Sequence, residues 1–493
     1  MYRLLLLTLT LSHLSFSQVG KIYTSMDSAL ANKTEVYELN LEDYRGNIDG
    51  IGQFINLQKL TIGYCSNSSI PESIGNLTEL KKLKIMGHPM TNLPNRIGDL
   101  VNLSSLELQY CVALKQLPES IGKLKSLMYL NITQTGIEKL PESIGKLTEL
   151  RVLNLNYNPI ASLPQSIGQL NNVFLLQLKK AEITSLPESI GGMTALSKLD
   201  VSNSNLIQLP DAIGDLENLI VFDLNNCQIA NLPESFGNLV NLEELYISNN
   251  RIKTLPRSFG QLMNLRVFNL SQNILDTVSP SIGQLLNLVD LNLSENKIVT
   301  VPESIENLVQ LETLNLSKNK ISNLPDQVSN LLKLNYLDLS NNQITQIPES
   351  LGYLGELEEL LLNNNPLTAL PSTVRYLRQL TSLQLNNTKL TDLPESIGRI
   401  KNLKTLSINN SYLSTLPASI LFLKQIESIQ LECNTIKTLP EGMEQLTTLK
   451  QLNLSNSLSE EHEAELIAAI QVLETALKEC KVTYSVKALK DCQ

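Results

Sequence analysis

One place in this chain recurs with little drift. The proline position of the phrase Leu-Pro-Glu-Ser-Ile-Gly falls at 71, 94, 118, 141, 164, 187, 210, 233, 256, 279, 302, 325, 348, 371, 394, 417 and 440. Every interval is 23 residues except 94 to 118, which is 24, and at 279 the residue is Ser with Pro280 one place late. A fixed period of this length means stacked copies of one small unit, none of which can bury its apolar face alone. The 493 residues therefore predict an array rather than several independent globular domains.

Within a unit the apolar places alternate and then spread out. Leu311, Leu314 and Leu316 are followed by Asn319 and Ile321, then by Leu324 and Pro325. Two leucines flanked by polar residues make a half-buried strand, and a 23-residue return path makes successive strands parallel. Proline then opens a short turn on the outer side, where the following Glu suits the turn's positive end. At the sharp bend an Asn amide can satisfy backbone groups that the bend leaves unpaired. Asn holds that place at 158, 250, 273, 296, 319, 342, 365 and 434, while Cys65, Cys111, Cys227, Ala181 and His88 substitute for it elsewhere.

This pattern resembles the leucine-rich-repeat family, and its 23-residue Leu-Pro-x-x-Ile form resembles the Ras-group and Scribble-like members. The resemblance covers residues 36–457. It implies a right-handed α/β solenoid, a curved horseshoe with a parallel sheet on its concave side and short helices or turns on its convex side. Nineteen strands are expected, counting an irregular first one at Leu39–Leu41. Residues 18–35 read as a helical cap leading into a strand at Val36–Leu41. Residues 458–493 read as a second cap, in which Leu466, Ile470, Leu473 and Leu477 recur at helical spacing and Lys481 to Val486 adds a strand.

Residues 1–17 read as an export signal. Arg3 precedes an apolar run from Leu4 to Leu14, and Ser15 and Ser17 place small residues before a cleavage at Gln18. The run is too short for a membrane span of ~20 residues. The expectation is an exported protein (periplasmic, surface-bound or secreted) with no stable membrane insertion after removal of the signal.

Composition narrows the function. With 3 His, no Trp and 18% charged residues, little raw material exists for a metal site or a His-driven catalytic pair. Nucleotide-loop, zincin, CxxC and calcium-loop motifs are absent. We expect no enzyme activity and no cofactor. A net charge of −10 disfavours nucleic acid as a partner. Cys480 and Cys492 either pair after export or remain free thiols.

A binding surface is expected on the concave sheet. In the second half, the outward places are mostly Asn and Ser, among them Asn269, Ser271, Asn292, Ser294, Asn315 and Ser317, which read as solvated consensus. The first half departs from it with Lys82, Lys84 and Met86, then Tyr129, Val152, Leu175 and Lys179. Tyr110, Met128, Tyr157, Phe174 and Lys180 sit at the strand edges. Exposed apolar and aromatic groups in a cluster suit a protein ligand. Nearby Asp200, Asp223 and Glu244 would suit a basic segment. A glycan could use the same tyrosines, giving a carbohydrate-binding or adhesion protein as an alternative. An uncut leader would instead favour an intracellular signalling scaffold.

Overall fold

The computed structural model describes residues 20–64 and 67–486; the leader, Cys65 and Cys492 lie outside them. The chain divides into two compact units, Met1–Ile183 and Thr184–Gln493. Among the described residues the first unit holds eight strands: Ile22–Tyr23, Glu38–Leu41, Lys59–Ile62, Lys82–Met86, Ser105–Gln109, Tyr129–Thr133, Val152–Asn154 and Leu175–Gln177. Each pairs in parallel with the next, in sequence order. The second unit repeats this with thirteen strands, from Lys198–Asp200 to Lys481–Val486. The N-terminal cap departs from expectation: Ile22–Tyr23 already pairs with Glu38–Leu41, and the helix is only Met26–Leu30.

Most return paths carry a five-residue 3-10 turn where short helices or turns were expected, as at Glu72–Asn76 and Glu234–Asn238. Proline at its entry holds extended backbone, and the buried Ile or Phe at its third place plugs the coil. The Glu after proline does not cap its own turn. Glu234 accepts the backbone N–H groups of Arg257 and Ser258, one coil later, at 3.2 and 3.1 Å. These bonds hold its carboxyl below the usual range. Glu72, Glu119, Glu142, Glu188 and Glu395 make the same link. This charge stitches neighbouring coils together.

The Asn ladder forms as the residues predict. Asn319 donates to the carbonyls of Leu293, Leu316 and Ser317 at 3.0, 3.0 and 3.2 Å and accepts from Ile298 N–H at 3.0 Å. Cys111, Cys227 and His88 occupy ladder places and are buried. The thiols of Cys111 and Cys227 point at the same class of carbonyl, and His88 Nδ1 accepts Met90 N–H at 3.1 Å. Burial lowers the His88 pKa, disfavouring the charged ring. Cys480 is a free thiol. Cys433 is disulfide-bonded, which the spacing did not suggest.

At the C-terminal end, the 3-10 turn Glu460–His462 leads into the helix Glu463–Ala476, which buries Leu466, Ile470 and Leu473. The final strand Lys481–Val486 pairs with Gln451–Leu458.

Candidate functional site

Strand length decides how much surface the first unit offers. The strand Val152–Asn154 ends after three residues, and the Asn154 side chain accepts the N–H of Asn156 at 3.0 Å. The equivalent places in the three preceding coils are Lys84, Glu107 and Asn131, and Asn131 Oδ1 is buried without a partner. Their strands, Lys82–Met86, Ser105–Gln109 and Tyr129–Thr133, run two residues further. The longer strands add a third outward row.

Register places the predicted residues in rows across the coils. One row is Lys82, Ser105, Tyr129, Val152 and Leu175; the next is Lys84, Glu107, Asn131, Asn154 and Gln177; the third begins Met86, Gln109, Thr133. Met128 and Phe174 precede the first row, and Lys179 lies beyond the strands with its N–H bonded to Asn156 Oδ1 at 2.7 Å. Tyr110, Tyr157 and Lys180 follow the third row. The set is therefore two groups. One gathers Lys82, Tyr129, Leu175 and Phe174; the other gathers Met86, Tyr110, Tyr157 and Lys179. The polar row through Lys84 and Asn131 separates them, and at ~3.3 Å per residue Val152 and Tyr157 stand up to roughly 16 Å apart.

Exposure differs between the groups. Val152 is only 8% exposed, because its short side chain lies between Tyr129 and Leu175 in register, so it adds almost no surface. Tyr129 is half-buried, and burial, then the Glu107 charge, push its hydroxyl pKa up. Tyr110 and Tyr157 are 49% and 42% exposed and have φ of 57° and 60°. Most coils of the second unit put Asn at this left-handed place, among them Asn203, Asn226, Asn249, Asn341 and Asn364. Bulky residues rarely adopt it. The stack enforces it, since Tyr157 N–H must reach the Lys179 carbonyl at 2.7 Å. Lys180 Nζ stands 5.3 Å over the Tyr157 ring. Tyr64 covers Gly87, where an added Cβ would meet its ring at 2.0 Å.

In the second unit the acidic residues mostly serve the backbone. Asp200 accepts from the Ser202 N–H and hydroxyl at 2.9 and 2.7 Å, and Asp223 from Asn225 N–H at 3.0 Å. Asn269, Asn292 and Asn315 bond Ser271, Ser294 and Ser317 in the same way. Glu244 accepts the Tyr246 hydroxyl at 2.9 Å, and burial with that bond holds the phenol well above its usual range. The sequence signal for Tyr246 is an aromatic at an outward place normally held by Asp or Asn.

Asp290, three coils after Asp223, is a liability. Burial holds its carboxyl above the usual carboxylate range. A raised folded-state pKa means the folded chain binds the proton more tightly than the unfolded chain. Stability therefore falls as pH rises through that pKa. Asp290→Asn is expected to raise the urea midpoint near neutral pH, with the gain vanishing below the unfolded carboxylate pKa. Equal gains at both pH values would refute this.

Among the described residues no group of three or more His, Cys, Asp or Glu could hold a metal ion. No helix there is long and apolar enough to cross a membrane.

Parallel coils, an Asn ladder and 3-10 returns define the leucine-rich-repeat fold. The family description "Leucine-rich repeat region" matches residues 47–135, 119–204 and 377–491. "Leucine rich repeat" matches 263–321 and 310–367, and "Leucine Rich repeats (2 copies)" matches 217–259 and 240–283. The chain belongs to the leucine-rich-repeat family. It is similar to a leucine-rich-repeat protein of Leptospira interrogans, with 28% identity and a TM-score of 0.65, over 94% of this chain and 100% of that one. The plant peptide hormone receptor RGFR1, solved in complex with RGF2, is 25% identical with a TM-score of 0.65, over 95% of this chain and 80% of that one. TLR13, solved with ssRNA13, shares the fold at 22% identity and a TM-score of 0.64, over 82% of this chain and 65% of that one. No curated protein sequence matches significantly.

Proposed function

We propose that this chain is an exported, non-enzymatic scaffold that binds a protein ligand on the sheet side of its first unit. The observation that carries this is the exposed pair Tyr110 and Tyr157, held in left-handed backbone where Asn would be easier. An unfavourable conformation kept for a large exposed ring points to a use for the ring. Lys179, Lys180 and Met86 border it, a mixture of ring, cation and flexible apolar group that suits a peptide-like partner. A peptide complex in a relative of 25% identity supports this reading.

Asn is the natural replacement at both tyrosines because it tolerates the backbone. Tyr110→Asn with Tyr157→Asn is expected to keep the fold and to weaken capture of the native partner about tenfold or more. Phe174→Ala with Leu175→Ser tests the other group by the same pull-down from native extracts. Capture unchanged by both pairs sinks the proposal. Export is checked separately by the N-terminal peptide of the native protein: a start at Gln18 supports it, and a retained Met1 opposes it.

A further inference from the structure

The outer side of the second unit carries a row that the repeat does not require. Two places after the end of each 3-10 turn stand Val240, Met263, Leu286, Val309 and Leu332, in five successive coils. All are between 46% and 63% exposed. The equivalent places in the first unit mix Ile55 and Val101 with Thr78, Lys125 and Thr148. Single exposed apolar residues need no explanation, but an unbroken row does. On either side of it, from Asn238 to Asn330 and from Asn241 to Lys333, the same five coils hold only Asn and Gln apart from Lys333. Carboxylates stand near it at Glu217, which holds the row's place in the coil before Val240, at Glu306, which accepts from Asn330 at 3.0 Å, and at Glu356 after Gly355.

The row continues into cations and rings. Its next places are Gly355, Arg378, Lys401 and Lys424, and the turn ends beside them are Tyr353, Tyr376, Arg399 and Phe422. Turn ends in the other coils are never aromatic. Tyr353 and Tyr376 stack with centroids 5.7 Å apart, and the Arg375 guanidinium lies 4.7 Å from the Tyr376 ring. Tyr353 and Phe422 are exposed. Among the described residues, none of Arg375, Arg378, Arg399, Lys401 and Lys424 has an acidic ion-pair partner.

We propose that this outer strip of the second unit docks on a lipid bilayer with anionic headgroups. Apolar tips standing clear of the surface, interfacial tyrosines and unpaired cations are the three groups that peripheral membrane contact uses. The five apolar places make a row one side chain wide, which a planar interface accommodates, and a shallow cavity lined by Tyr353, Glu356, Tyr376 and Arg378 lies where the row continues. The unpaired cations that continue the row fit an anionic surface rather than a cationic one. The strip is independent of the ligand reading of the first unit.

The full chain is sedimented with vesicles of equimolar phosphatidylglycerol and phosphatidylcholine, or of phosphatidylcholine alone. Two variants are compared, Met263→Ser with Leu286→Ser and Leu332→Ser, and Arg378→Glu with Lys401→Glu. All sites are exposed, and circular dichroism with the thermal midpoint checks each fold. Binding to the anionic vesicles, with partitioning about tenfold lower in each variant and weaker in high salt, supports the proposal. Recovery equal with both vesicles, or unaffected by both variants, overturns it. So does self-association that the serine variant abolishes, or binding to heparin without binding to vesicles.

Discussion

Asn319→Leu is expected to destabilise its part of the second unit by roughly 3 kcal/mol, although leucine is apolar and the site is buried. The Asn319 amide donates to three carbonyls and accepts one N–H, all within 3.2 Å. Removing it strands the buried Ile298 N–H, at ~1–3 kcal/mol before relaxation, and takes one donor from each of three carbonyls, which keep bonds from Asn296, Asn342 and the Glu295 N–H. Leucine cannot return any of these bonds. Ladder substitutes elsewhere in the chain show what can: Thr388 Oγ1 still reaches the Leu385 carbonyl at 2.9 Å. Asn319→Thr should therefore lose about half as much. In a stacked array the damage is local before it is global. Amide exchange in residues 293–342 is the measurement, and protection equal to that of an exposed control such as Asn323→Ala would sink the claim.

Phe259→Ala should cost about 3–5 kcal/mol, the range for truncating a buried ring. Phe222, Phe236, Phe259 and Phe268 are all fully buried. Their centroids lie 6.1, 6.3 and 4.9 Å apart in sequence order. Phe236 and Phe259 occupy the turn place that Ile213 and Ile282 hold in the flanking coils, so four rings fill a space that aliphatic side chains fill elsewhere. Phe259→Ile restores the common residue and should cost less than half of the alanine loss, because the coil can nearly close around it. The Phe268 ring is the nearest neighbour, and a double-mutant cycle between the two should show coupling of about 1 kcal/mol. Additive losses would mean that the rings pack as independent plugs.

Both effects trace to residues legible by their spacing. The leucines, the ladder Asn and the proline turns announce themselves by period, because every coil must solve the same burial and hydrogen-bonding problem. His88, Cys111 and Cys227 were readable as ladder members for the same reason. The candidate site was legible only as a set of unusual residues. Val152 belongs to the set by position, yet Tyr129 and Leu175 cover it. Leu175, read from the alternation, and Tyr110, read at a strand edge, lie at opposite ends of the strands.

The sequence by itself determined the repeat, the parallel order of the strands and the identity of the buried places, since these follow from period and polarity alone. Only the tertiary structure decided where the remaining side chains point. Glu234 reaches the next coil rather than its own turn because the stack brings those N–H groups to it. The strands through Lys84 and Glu107 run to five residues where most coils stop at three, and Met263 and Leu332 stand exposed because the 3-10 turn leaves them outside the core. Period tells which residues share a place; the neighbouring coil decides what that place touches.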